Sequence, residues 1–252
     1  MKAYRFLLPK DMRQSRFAFV LSFSMLMFLQ LGCFLLAHGV EPGLATVLAI
    51  FVTYLSAFLL PVLYLQSLQV EWKTHSVYYW INSSYSGYPV LLSKLTVAAA
   101  QTVLIMAASS AAMLGIYTYE VHVIGKLTGI SQKMKPLLAE TYRMDAIMLL
   151  YAVMFSFGLG FLFLAGKAVR YGSVPAFVVL CAVLAASVGS MLGGWFEWLP
   201  FRLPLGIRLA NDSLAAEYAT YSLGGLLFLL VLALALLAVN SWLLKGRVQV
   251  TN

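Results

Sequence analysis

Glu71, Thr74, His75 and Tyr78 follow one another at spacings of three, four and seven residues from the first, which places all four on one face of a helix. That face carries a carboxylate, two hydroxyls and an imidazole, a set suited to hydrogen bonding at a docking surface. Trp72 and Tyr79 fall on another face, of the kind that settles at a membrane interface. A helix over 67–83 is therefore predicted to be amphipathic, with its acidic side turned from lipid. An ordinary interfacial loop also gathers aromatics and a few charges, so spacing alone supports either reading. A lone histidine such as His75 is more often polar surface than a pH-responsive group.

Catalytic chemistry finds little to build on. His38, His75 and His122 are far apart, and no His-Glu-x-x-His run or Gly-x-Ser-x-Gly elbow occurs. No Walker phosphate loop is present, and Cys33 and Cys181, both inside apolar runs, make too small a set for a cysteine-histidine metal site. No disulfide, cofactor or catalytic residue is expected in this chain. Glu120 and Asp145 are expected at the rims of apolar runs, leaving no intramembrane carboxylate for a proton relay. Any driving energy is then expected to enter from outside the chain. Ser22, Ser24, Gln30, Thr53, Tyr54 and Ser56 could line a path through apolar runs, although each is also an ordinary hydrogen bonder within a bundle. Ala185, Gly189 and Gly193 recur every four residues, a spacing that lets helices pack closely.

These residues sit in a chain of 252 residues that is 62% hydrophobic and only 10% charged, against roughly 25% charged in soluble domains. A bilayer core takes about 20 apolar residues per helix. Six spans are predicted, at 17–37, 44–66 (kinked at Pro61), 91–119, 144–166, 174–194 and 222–244, forming one transmembrane domain with no soluble domain. The first apolar run is longer than a secretory signal's core and is expected to remain as an anchor. The formal net charge of +8 is scattered between apolar runs; it reads as topology information and not as a nucleic-acid footprint.

With the N-terminus inside, eleven Lys/Arg lie inside: five before the first span, then Lys73, Lys94, Lys167, Arg170, Lys245 and Arg247. Six lie outside: Lys126, Lys133, Lys135, Arg143, Arg202 and Arg208. Both termini and the 67–83 helix are therefore expected in the cytoplasm. Residues 1–16 mix Tyr4, Phe6, Leu7 and Leu8 with five basic residues, fitting either an interfacial helix drawn to anionic lipid or simple flanking charge. A small helical element is expected around "QKMKPLLAETYR" in the loop 120–143. The aromatic, proline-bearing stretch 195–218 fits either an interfacial loop or short external helices.

Two spans followed by Glu71 and Thr74, then an amphipathic stretch, then Lys94 opening the third span in "PVLLSKLTVAAAQ", resembles the type-2 ATP-binding-cassette exporter permeases. Chain length, span number, basic N-terminal segment and inside termini match over essentially the whole chain. The pattern departs at Lys73, where the family has glycine, and at "INSSYSGYP" before re-entry. The resemblance implies an all-α polytopic fold in a bacterial cytoplasmic membrane, with external helices at 195–218. It makes 67–83 a coupling helix, with Glu71 reaching into a groove on a separate ATPase and Thr74, His75 and Tyr78 beside it. It also implies a second permease subunit, as homodimer or heterodimer, with ATP and magnesium bound only by the ATPases. The cargo would be hydrophobic or amphipathic, such as a peptide antibiotic, drug or lipid. The alternative is a six-span channel or an accessory or immunity protein without an ATPase.

Overall fold

The computed structural model describes residues 2–37, 39, 43–74, 76, 87–122, 131–168, 175, 177–179, 181, 202–209 and 216–246. Its regular elements are α1 (Lys2–Gln14), α2 (Arg16–Leu36), α3 (Leu44–Ala57), α4 (Leu59–Lys73), α5 (Gly87–His122), α6 (Ser131–Ala168), β1 (Arg202–Leu209), β2 (Ala216–Ser222) and α7 (Leu223–Gly246). Five stretches are long and apolar enough to cross a bilayer: Arg16–Leu36, Leu44–Lys73, Gly87–His122, Asp145–Ala168 and Gly224–Leu244. The chain is a multi-pass helical membrane protein. The span predicted at 174–194 lies almost wholly outside the described residues, and Ala185, Gly189 and Gly193 lie outside them altogether.

Pro61 breaks the second span, but upstream of itself. Proline has no N–H for the carbonyl four residues back, and its ring crowds that carbonyl, here that of Ala57. The helix duly stops at Ala57, and Phe58 closes a tight turn by donating its N–H to the Leu55 carbonyl at 3.1 Å. α4 then runs unbroken to Lys73, where the Thr74 hydroxyl donates to the Val70 carbonyl and caps the end. Residues 67–73 are thus the tail of span two and not the start of a separate helix. The element expected around residues 132–143 is helical, but it is continuous with span four within α6.

The helices expected at 195–218 are replaced, where described, by an antiparallel hairpin pairing Arg202 with Ser222 and Leu209 with Ala216. "RLPLGIRL" alternates apolar and other residues, the period of a strand, and Pro204 and Gly206 are poor helix formers. The pairing register shifts between Pro204 and Ile207, where proline cannot donate to a ladder.

Two apolar clusters hold the bundle. One joins Leu63, Tyr64 and Leu68 of α4 to Leu91 of α5, Phe157 and Leu164 of α6 and Leu229 of α7. The other joins Cys33, Ala49 and Ile50 to Met113 and Ile116, locking α2 and α3 against α5. Trp72 meets Phe163 edge to face at 5.1 Å, and Gly87 lies directly against Ser241. These contacts gather the C-terminal ends of α4, α6 and α7 with the N-terminal end of α5. At that same end lie Arg5, Lys10, Arg13, Arg16, Lys73, Lys94 and Lys167.

Candidate functional site: a buried charge cluster at the basic end

α1 crosses α5 steeply. Asp11 meets Ser93 and Lys94, while Tyr4 donates to Thr96 Oγ1 at 2.8 Å. Seven residues of α1, about 10 Å of helix, therefore advance only two residues, about 3 Å, along α5. α1 thus lies across α5 rather than along it.

Four charged side chains meet at that crossing. Lys94 Nζ lies 3.1 Å from Asp11 Oδ1 and 3.0 Å from Glu71 Oε1, and Lys10 Nζ lies 2.8 Å from the same Glu71 oxygen. Ser93 donates to Asp11 Oδ2 at 2.6 Å. Lys94, Asp11 and Glu71 are all but sealed, whereas Lys10 keeps about a third of its side chain exposed (32%). Two ammonium groups balance two carboxylates, and no charge in the cluster is left uncompensated. Buried ions cost several kcal/mol each in desolvation, a cost that only close pairing offsets. The arrangement ties three elements into one body: α1, the tail of span two and the head of span three. Gln101 extends the tie, donating to Ser15 Oγ at 2.7 Å.

Glu71 does not face outward as a docking group, as the resemblance implied. Its carboxylate turns inward onto Lys10 and Lys94. Thr74 is exposed at the cap of α4. His75 and Tyr78, the remaining members of the predicted face, lie outside the described residues. Sequence reasoning missed Lys10, Asp11 and Ser93. The signal was available: Asp11 is a single acid in a basic segment, and Lys94 is a single cation inside an apolar run.

The opposite end of the bundle holds acids. Glu120 is buried and accepts the Thr46 hydroxyl. Thr46 belongs to the first turn of α3, where the helix dipole favours an anion. Asp145 is also buried, with Oδ1 unpartnered. Both carboxylates lie at the ends of spanning helices, Asp145 as the first residue of its span and Glu120 in the last turn of α5, in keeping with the rim position expected.

Of the predicted path residues, Gln30 and Thr53 come together. Gln30 Nε2 donates to Ser109 Oγ at 2.7 Å and to the Ala49 carbonyl at 3.2 Å, and Thr53 lies 3.0 Å from Ser109. This polar knot binds α2, α3 and α5 in mid-bundle. Ser56 donates back to the Thr53 carbonyl of its own helix, and Tyr54 packs against the second apolar cluster. Ser109, the centre of the knot, was not singled out from sequence. Beside Gln30, Phe34, Gly115 and Tyr119 help to line an open, mainly apolar cleft of about 580 Å³ between α2 and α5.

The chain matches no family model, no curated protein and no solved structure.

Proposed function

We propose that this chain is the permease subunit of an ATP-driven exporter, moving a hydrophobic or amphipathic molecule outward by alternating access. One observation carries the reading: the buried charge cluster clamps α1 to the tail of α4 and the head of α5, the two elements that flank residues 74–86 in the chain. A force applied to that segment is delivered to two spans and α1 together. The basic end of the bundle is the cytoplasmic end by the positive-inside rule, which is where ATP is available. The sequence has no Walker loop, so hydrolysis falls to separate ATPase subunits binding ATP and magnesium. A second permease copy, identical or related, completes the transporter in a bacterial cytoplasmic membrane.

In this reading Glu71 is a positioning residue. Thr74, His75 and Tyr78 supply the docking surface, and Gln30, Thr53, Tyr54 and Ser56 belong to the moving bundle. Affinity purification of the tagged full chain from its native membrane tests the proposal. It should bring down a spanless ATPase carrying Walker motifs, and Glu71→Ala should lower the complex's ATP hydrolysis. A chain that purifies intact without such an ATPase would overturn it.

A further inference from the structure

We propose that the outward face of α1 is a seat for anionic phospholipid and that lipid bound there holds the charge cluster in place. Exposure divides α1 cleanly. Tyr4, Leu7, Lys10, Asp11 and Gln14 turn toward α4 and α5 with at least part of each side chain covered, while Arg5, Phe6, Pro9, Met12 and Arg13 are exposed. Ser15 keeps a near-helical backbone (φ −88, ψ −3), so exposed Arg16 at the head of α2 continues the row. Arg5, Met12, Arg13 and Arg16 fall at spacings that share one helix face.

The division is unusual in its chemistry. Asp11 is the helix's single acid, and it is turned inward onto Lys94. The exposed face therefore carries three guanidinium groups with no carboxylate among them. Arg5, Arg13 and Arg16 form no ion pair among the described residues. Phe6 (73% exposed) and Met12 (60%) stand between them. Apolar side chains interleaved with arginines on a helix lying across α5 match a layer of acyl chains beneath phosphate groups. Guanidinium binds phosphate in bidentate fashion, and each basic residue near an anionic leaflet contributes about a fivefold preference.

The consequence lies on the same helix. Lys10 and Asp11 share the helix with these arginines and make the salt bridges to Glu71 and Lys94. Lipid that fixes α1 from outside therefore also fixes both carboxylates of the cluster. The lipid seat rests on the geometry of α1 and stands whether or not an ATPase partner exists.

The test uses the full chain in nanodiscs of phosphatidylcholine alone or mixed with phosphatidylglycerol. Retained lipid is counted by native mass spectrometry, and the unfolding midpoint is measured in each. Phosphatidylglycerol should be enriched around the wild type and should raise the midpoint. Arg5→Gln, Arg13→Gln and Arg16→Gln should each cut the enrichment roughly fivefold. The triple variant should lose the midpoint shift while matching wild type in phosphatidylcholine. The triple Arg→Lys variant, which keeps the charge, should retain most of the enrichment. Equal retention of both lipids by wild type would overturn the proposal. So would a triple Gln variant that keeps its lipid enrichment but no longer binds an ATPase, since the arginines would then serve an acidic protein surface.

Discussion

At Lys94 two carboxylates converge on one ammonium that is sealed from solvent. Removing that ammonium takes from Asp11 its ion-pair partner and leaves Glu71 paired with the more exposed Lys10. Breaking a buried pair costs roughly 3–5 kcal/mol, so Lys94→Met should lower the unfolding midpoint in detergent strongly. Glu71→Gln should cost less, because Lys94 keeps Asp11 and Lys10 can turn toward water; the reverse order would contradict the cluster's geometry. Little of this pairing was legible in the sequence. Glu71 and Lys94 stood out as polar residues beside apolar runs, but helical spacing says nothing about which groups on different helices meet. The partners come from α1, which reads equally well as a simple string of topology charges. The Thr46–Glu120 hydrogen bond was hidden in the same way, being a contact between helices.

Elements were far more legible than contacts, because a run of some 20 apolar residues announces itself. Spans one, three and six fall within a few residues of expectation. The break at Phe58 follows from Pro61, displaced by the reach of a proline ring along the helix. The hairpin at 202–222 was missed because composition, rich in aromatics and proline, outweighed a visible two-residue alternation. Close packing between elements makes a sharp prediction. A Cβ at Gly87 would lie 2.8 Å from both the carbonyl and the hydroxyl oxygen of Ser241, whereas a Cβ at Gly115 meets nothing within 4 Å. Gly87→Ala should therefore push α5 and α7 apart and lower the unfolding midpoint. Gly115→Ala should hold or raise it, since alanine is favoured over glycine in a helix by about 1 kcal/mol. Parallel melts of the two variants decide the matter; equal behaviour would count against the Gly87–Ser241 contact.

At the scale of the whole molecule, Arg5, Lys10, Arg13, Arg16, Lys73, Lys94 and Lys167 gather at one end and two buried acids lie toward the other. With Cys33 and Cys181 replaced by serine, a cysteine at exposed Thr118 should react with an impermeant maleimide added outside cells. A cysteine at exposed Lys73 should react only after the membrane is opened. The reverse pattern would invert the bundle and place the charge cluster out of reach of ATP. The central claim is that force from an ATPase enters through the segment between Thr74 and Gly87. Photocrosslinking reads that contact directly: a benzophenone amino acid at Tyr78 in one strain and at Thr118 in another, irradiated in native membranes. The account predicts an adduct between position 78 and a Walker-motif ATPase, and none from position 118. Absence of any ATPase adduct at 78, with the protein folded and inserted, would contradict it.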